Sequence, residues 1–173
     1  LLESRAERGE ATLWFGTYGG GLAALSQGRW RVLQEVAGHP MTAVRSLLET
    51  GARTLWVGTF RQGLFRRFQG RWERVPTPAA LARAEWRQLL EVRGRLWAAT
   101  SEGLACLEGD RWKVWTAAEG LPASDINRIL ETRSADGRST LWVGTGGGVV
   151  SRLDGGHWNH IGPKEGLAAP WVL

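Results

Sequence analysis

Short runs of alternating apolar and polar residues, separated by turns containing glycine, extend along the whole chain. The clearest examples are Val44 to Glu49, Leu55 to Thr59, Leu64 to Phe68 and Arg71 to Val75. Each run is about five residues long, and aromatic and β-branched residues suit a pleated, half-buried surface. Glycine supplies the positive φ that a tight hairpin such as Gln69-Gly70 needs. The pattern therefore predicts a four-stranded antiparallel meander.

One stretch favours a helix by composition. Ala79 to Leu90 is rich in alanine, leucine and arginine, which are good helix formers. It occupies the place where the rest of the sequence has a connector followed by a first strand. We therefore predict a loop and a strand for this stretch.

The second strand of the meander returns four times along the sequence. Its copies are Leu-Trp-Phe-Gly-Thr at 13–17, Leu-Trp-Val-Gly-Thr at 55–59, Leu-Trp-Ala-Ala-Thr at 96–100 and Leu-Trp-Val-Gly-Thr at 141–145, with spacings of 42, 41 and 45 residues. A second tryptophan follows each first one after 15 or 16 residues, so eight of the 11 tryptophans occupy two repeat positions. A period of this length indicates a repeat architecture.

Stacking of the meanders follows from their apolar faces. One meander cannot bury both faces, whereas several can do so by packing face to face around an axis, which predicts an all-β fold, a β-propeller of four-stranded blades. The blade ranges are approximately 1–43, 44–85, 86–125 and 126–170, and 171–173 begins a further blade. We expect the first tryptophan of each repeat to be buried between blades, namely Trp14, Trp56, Trp97 and Trp142. The glycine two positions later lets a neighbouring backbone approach closely.

Charge and cysteine content limit the partners. The formal net charge of +5 rests on 20 arginines and two lysines against 17 acidic residues. The arginines are scattered through every repeat without a basic run, which argues against a nucleic-acid partner. The single cysteine, Cys106, excludes an internal disulfide framework and is expected to be a buried thiol. No apolar run reaches the roughly 18 residues of a membrane span, so this segment is not expected to contact a membrane.

Catalytic motifs are weak. His157 and His160 have the spacing of a ligand pair, but in a strand their side chains point to opposite faces. No nucleophile elbow is present, and the Gly-rich turns lack the lysine and helix of a phosphate loop. We therefore expect no enzyme activity, no metal site and no cofactor.

The repeat as a whole resembles the two-component regulator propeller family. The resemblance rests on Gly120-Leu121-Pro122, a short strand ending in Leu-Leu-Glu, then Leu-Trp-Val-Gly-Thr, Gly-Leu and Gly-x-Trp, and it covers all 173 residues. Gly166-Leu167 lacks the proline, Gly38-His39-Pro40 is a variant, and the connector 76–85 lacks the motif. The resemblance implies a non-catalytic, periplasmic or otherwise extracytoplasmic sensor, which in this family often binds sugars or other small molecules.

A ligand is expected on one face of the blades. In such a meander the connectors and the turns between second and third strands share one face, whereas the other turns lie on the opposite face. Polar or aromatic residues that break the repeat gather on the connector face, which is where variable function usually lies. The candidate binding residues are Tyr18, His39, Arg45, Phe60, Arg61, Arg87, Ser101, Glu102, Asp125 and Asn127.

Two alternatives remain open at the level of sequence. A lectin-like propeller is suggested by the tryptophan content and needs exposed aromatic rings. A propeller hydrolase or lyase needs acids and histidines that converge at the axis. The sequence 170–173 also continues in register into 1–4, which predicts that the ring is closed either by four blades of one chain or, as we prefer, by two chains forming a homodimer with eight blades. The remaining alternative is that the chain is part of a longer propeller chain.

Overall fold

Four antiparallel sheets, each with four strands in sequence order, make up most of the protein. The computed structural model describes residues 1–5, 10–154 and 156–167. Sheet 1 contains β1 (Leu2–Arg5), β2 (Ala11–Gly16), β3 (Leu22–Ser26) and β4 (Arg29–Leu33); sheet 2 contains β7 (Val44–Glu49), β8 (Leu55–Thr59), β9 (Leu64–Phe68) and β10 (Arg71–Arg74). Sheet 3 contains β11 (Trp86–Val92), β12 (Arg95–Thr100), β13 (Gly103–Glu108) and β14 (Arg111–Trp115); sheet 4 contains β15 (Ile126–Arg133), β16 (Ser139–Thr145), β17 (Val150–Asp154) and β18 (His157–Ile161). These are the blades of a β-propeller, and the predicted fold class is confirmed.

The chain divides into two compact units, Leu1–Leu89 and Leu90–Leu173. Sheets 1 and 2 belong to the first unit. Sheet 4 and most of sheet 3 belong to the second, because β11 begins in the first unit and ends in the second. The predicted continuation of 170–173 into the chain start lies outside the described residues.

The connectors contain structure that the sequence pattern did not predict. A short hairpin joins β5 (Glu35–Val36) to β6 (His39–Pro40), with Ala37 and Gly38 at φ 51° and 76°. Single 3₁₀ turns occur at Ala79–Leu81, Ala117–Glu119 and Pro163–Glu165. The stretch from Ala79 to Leu90 is thus a loop containing one 3₁₀ turn, followed by the predicted strand. None of the described helical segments is long and apolar enough to span a bilayer.

The Gly-Leu-Pro motif ends one of these 3₁₀ turns. The Thr116 side chain accepts from the backbone N–H of Ala118, and the Glu119 carboxylate accepts from the Thr116 N–H, forming a capping box. Gly120 follows with φ 96°, in the left-handed region that glycine adopts without steric cost. The chain then turns inward, and Leu121 is buried in the core of the second unit.

Each unit has a core made by the facing sides of its two sheets. In the first unit Trp14 of sheet 1 packs edge-on against Trp72 of sheet 2, with ring centroids 6.1 Å apart. In the second unit Trp97 of sheet 3 lies in the core formed with sheet 4, where Trp158 is half-buried. The first tryptophan of one sheet therefore faces the side of the next sheet that carries the second tryptophan.

The predicted burial of the repeat tryptophans is confirmed for three of the four. Trp14, Trp56 and Trp97 are buried, whereas Trp142 is only half-buried, so the prediction is wrong for Trp142. Trp142 lies on the side of sheet 4 opposite to the core of the second unit, and no following sheet covers it within the described residues. Its indole N–H donates to the Thr132 hydroxyl at 2.8 Å.

In sheet 2 close packing requires the glycine two positions after the first tryptophan. A Cβ atom built on Gly58 would lie 2.2 Å from the Ser46 hydroxyl and 2.6 Å from Cβ of Trp86. The Ser46 hydroxyl itself donates to the Trp86 carbonyl at 2.7 Å. The predicted close backbone approach is therefore confirmed at Gly58, whereas the equivalent Ala99 is accommodated as a fully buried residue.

Candidate functional site

Each turn after a second strand is closed by the threonine that ends the repeated pentapeptide. The Thr17 and Thr59 hydroxyls donate to the carbonyls of Gly21 and Gly63 at 2.8 and 2.5 Å. The same contact joins Thr100 to Gly103 at 2.7 Å and Thr145 to Val149 at 3.0 Å. Residues between the two ends of the contact are thus held at the tip of a closed turn. In the first unit these tips carry Tyr18 and Phe60-Arg61.

In the first unit the turn tips lie against the connectors. Tyr18 forms an isolated antiparallel bridge with Ala43, and Phe60 forms the equivalent bridge with Glu85. The Phe60 N–H donates to the Ala43 carbonyl at 2.8 Å, and the Arg61 N–H donates to the Ala84 carbonyl at 3.2 Å. The predicted neighbourhood of connector and turn is confirmed in this unit.

Gln62 fastens its turn to the preceding connector. Its side-chain oxygen accepts from the N–H groups of Thr42 and Ala43 at 2.9 and 3.1 Å, and its side-chain nitrogen donates to the Thr42 hydroxyl at 2.8 Å. The sequence analysis did not single out Gln62. Because all these bonds satisfy groups of the scaffold, Gln62 positions the neighbouring Phe60 and Arg61.

An aromatic pair forms the platform of the site. The Tyr18 and Phe60 rings meet edge to face with centroids 5.7 Å apart, and Tyr18 is 73% exposed. The guanidinium groups of Arg45 and Arg61 lie 5.7 and 5.1 Å from the Phe60 centroid, within cation–π distance. The platform is therefore open to solvent and flanked by positive charge.

Glu85 is the common partner of three arginines. Its carboxylate is 3.4 Å from Arg45 Nη2, 3.7 Å from Arg61 Nη2 and 3.5 Å from Arg87 Nε. Only 12% of the Glu85 side chain is exposed, against 63% for Arg61. We call Tyr18, Arg45, Phe60, Arg61, Glu85 and Arg87 the connector-side cluster. Three guanidinium groups share one carboxylate there, and the Arg45 and Arg61 side chains, which are 40% and 63% exposed, can also contact an anionic partner from solvent.

Five of the ten residues predicted from sequence therefore meet in one place: Tyr18, Arg45, Phe60, Arg61 and Arg87. Sequence reasoning missed Glu85, although the signal was present. Glu85 immediately precedes a first strand, as Asp125 does in the next repeat, and Asp125 was among the candidates.

The other five predicted residues are distributed elsewhere. His39 is an exposed residue of the hairpin β5–β6. In the second unit Ser101 and Glu102 occupy the turn after β12, and the Asp125 carbonyl accepts from the Gly146 N–H at 2.9 Å. Asn127 is the second residue of β15.

Among the described residues no three or more histidine, cysteine or acidic side chains are grouped as a metal ion would need. His160 lies 2.8 Å from the Ser151 hydroxyl through Nδ1. Its role within β18 is thus to bond a buried hydroxyl of the adjacent strand.

Comparison with known proteins identifies the fold. No protein family and no curated protein matches the sequence. The extracellular domain of the hybrid two-component system BT3049 from B. thetaiotaomicron matches with 17% identity and a TM-score of 0.78, over 98% of this chain and 23% of that one. The extracellular domain of the one-component system BT4673 from the same organism matches with 20% identity and a TM-score of 0.67, over 93% of this chain and 21% of that one.

A lyase has a similar fold. Virginiamycin B lyase from Staphylococcus aureus matches with 14% identity and a TM-score of 0.65, over 92% of this chain and 54% of that one. At these identities the likeness concerns the fold. The expected resemblance to the sensor propellers of two-component regulators is confirmed in this sense, and the chain spans less than a quarter of the length of the two extracellular domains.

Proposed function

We propose that this chain is part of a ligand-sensing propeller that acts outside the cytoplasm and has no catalytic activity of its own. The fold shared with extracellular domains of one- and two-component system proteins supports this proposal. The observation that carries it is the connector-side cluster, where non-repeating residues from two turns, one connector and two first strands of a repeating scaffold converge. Scattered arginines, rather than a basic run, support a small-molecule partner over nucleic acid.

The chemistry of the cluster favours an acidic saccharide. Sugar rings stack on exposed aromatic faces such as Tyr18, and the Arg45, Arg61 and Arg87 guanidinium groups suit a carboxylate. A neutral sugar gains only the stacking contact. We therefore expect uronic acids to bind more tightly than the matching neutral sugars.

Titration calorimetry with matched sugar pairs tests this function. Glucuronate against glucose, and galacturonate against galactose, differ in one carboxylate. Arg61→Gln should weaken uronate binding by about tenfold, because one charge-assisted contact is lost. Arg71→Gln, an exposed arginine at the β9–β10 hairpin, is the matched control and should leave the affinity unchanged.

Tyr18→Ala separates stacking from charge. It should weaken the acidic and the neutral sugar of a pair by the same factor, because both rings lose the same contact. If uronate binding survives both Arg61→Gln and Tyr18→Ala unchanged, the connector-side cluster is not the ligand site.

A further inference from the structure

The second unit contains a cavity of about 730 Å³ between the facing sides of sheets 3 and 4. Its lining includes Trp97, Lys113 and Trp115 from sheet 3 and Leu141 and Leu153 from sheet 4. It lies toward the hairpins, because Gly156 and the arginines that flank the β11–β12 turn also line it. The cavity is thus a different place on the blades from the turn tips and connectors.

The first unit has a smaller space at the equivalent place. The equivalent space beside Trp14 measures about 300 Å³. Arg67 lines it, with its guanidinium 5.7 Å from the Trp14 ring centroid. Arg67 pairs with Leu55 as Leu153 pairs with Leu141, so Arg67 and Leu153 hold the same repeat position. The shorter Leu153 leaves open the space that Arg67 fills.

A second substitution at a repeat position gives the cavity an aromatic wall. Trp115 pairs with Leu104 as Leu33 pairs with Leu22, so a tryptophan replaces a leucine there. The Trp115 and Trp97 rings are stacked, with centroids 5.3 Å apart and 16° between their planes. One departure from the repeat thus widens the cavity, and the other adds the Trp115 ring to its wall.

The mouth of the cavity is basic. Four basic side chains, Arg93, Arg95, Arg111 and Lys113, line it together with one acidic side chain, Glu108. Arg95 forms an ion pair with Glu108 at 2.6 Å. The Lys113 ammonium is exposed and lies 4.6 Å from the Trp115 ring centroid. An anionic group entering beside Trp115 would therefore meet Lys113.

We propose that this cavity binds a planar aromatic carboxylate. The aromatic ring lies between the Trp97–Trp115 pair and the leucines of sheet 4, and the carboxylate contacts Lys113 at the mouth. The volume is within the range of roughly 300–1,000 Å³ typical of small-molecule sites, whose walls are mostly apolar and aromatic; here the charged side chains lie at the mouth.

A matched pair of probes tests the charge requirement. Calorimetric titration of the full chain with 2-naphthoate should show one site, with an affinity about tenfold higher than for 2-naphthamide, which has the same rings without the charge. Equal affinity for the two compounds, or binding of neither, would overturn the proposal.

Lysine labelling locates the probe. The chain has two lysines, Lys113 and Lys164. With an amine-acylating reagent and mass spectrometry, 2-naphthoate should slow the labelling of Lys113 and leave exposed Lys164 unaffected. Unchanged labelling of Lys113 at saturating probe would contradict the proposed position.

Two variants complete the test. Leu153→Arg places in the second unit the side chain that fills the first, and should abolish naphthoate binding. Lys113→Gln should weaken it about tenfold, whereas Lys164→Gln should not. The melting temperature checks that each variant folds; if Leu153→Arg does not fold, Lys113→Gln alone decides. If folded Leu153→Arg or folded Lys113→Gln keeps the full affinity for naphthoate, the inference is overturned.

This cavity and the connector-side cluster can be tested separately. Uronate titrations should be unaffected by Leu153→Arg, and naphthoate titrations should be unaffected by Arg61→Gln. The proposal for either site can therefore be contradicted while the proposal for the other stands.

Discussion

The four equivalent tryptophans of the repeat experience different surroundings. Trp97 is 7% exposed and stacks on Trp115, whereas Trp142 is half-buried and donates its indole N–H to Thr132. The contribution of a large side chain to stability depends on the contacts that surround it rather than on its type. These two residues therefore allow one substitution to be compared in two environments.

Replacing Trp97 by alanine should destabilise the protein by about 3–5 kcal/mol, because the buried ring and its stacking contact with Trp115 are lost. Trp142→Ala should cost clearly less, because part of that ring already contacts water. Urea denaturation followed by circular dichroism measures both. Equal losses would show that repeat position, and not burial, determines the contribution.

Cys106 is buried and its thiol is difficult to ionise. Burial raises the pKa of Cys106 to about 11, an effect opposed in part by Arg95 and Lys113. The thiolate is the reactive form, so native Cys106 should react with iodoacetamide at pH 8 far more slowly than the unfolded chain. Mass spectrometry of labelled samples, with and without urea, measures the ratio, and fast labelling of the native protein would contradict the assignment.

The raised pKa of Cys106 also makes the stability of the protein depend on pH. The folded state holds the Cys106 proton more tightly than the unfolded state, so its contribution is complete below the ordinary thiol pKa. It is lost as the pH rises toward 11. Cys106→Ala should reduce this alkaline loss of stability, as measured by urea denaturation at pH 8 and pH 10.

At the scale of the element, the closed turns determine where the side chains of the binding face lie. Thr59 is fully buried, and its hydroxyl both donates to the Gly63 carbonyl and accepts from the Gln62 N–H. Valine has the same shape without these bonds. The substitution therefore isolates the contribution of the hydroxyl.

Thr59→Val should destabilise the protein by about 1–3 kcal/mol, because buried polar groups of the turn lose their partner. Thr12→Val, at a half-buried strand position, should be nearly neutral, since valine suits a strand. Thermal unfolding compares the two. We also expect Thr59→Val to weaken uronate binding, because Phe60 and Arg61 lie at the tip of the same turn.

The strands and their order could be predicted because one repeated pattern determines them four times. Tyr18, Phe60 and Arg61 were found because they interrupt that pattern at a turn. The role of Glu85 could not be derived, because side-chain directions decide which carboxylate three nearby arginines share. Likewise, the sequence shows that Arg67 and Leu153 are equivalent only once strand register is known.

At the scale of the whole chain, two sheet faces remain exposed among the described residues. On sheet 1 Trp30 and Val32 are each 60% exposed, and on sheet 4 Leu130 is 59% exposed beside Trp142. Trp30 holds the repeat position of Trp72, which packs against Trp14. Trp142 holds the position of Trp14. The exposed face of sheet 1 therefore corresponds to the Trp72 side of the contact between sheets 1 and 2. The exposed face of sheet 4 corresponds to the Trp14 side of that contact.

We expect a second copy of the chain to cover these faces, with Trp30 of each copy against Trp142 of the other. Sedimentation velocity should then give twice the mass of one chain. Trp30→Glu should shift the protein to the monomer, because a charge would be buried in the contact, whereas Trp30→Phe should preserve it. A single-chain mass at all concentrations would contradict this arrangement.

The threonine that closes each turn has a consequence for how such a protein changes. Because the closure uses the threonine hydroxyl and one backbone carbonyl, it does not depend on which side chains lie between them. Phe60-Arg61-Gln62 and Ser101-Glu102 occupy the same kind of closed turn with different sequences and lengths. The residues at a turn tip can therefore be replaced without loss of the hydrogen bond that closes the turn. Substitutions, whether designed or naturally selected, can change the chemistry of the binding face one turn at a time while the blades beneath remain the same.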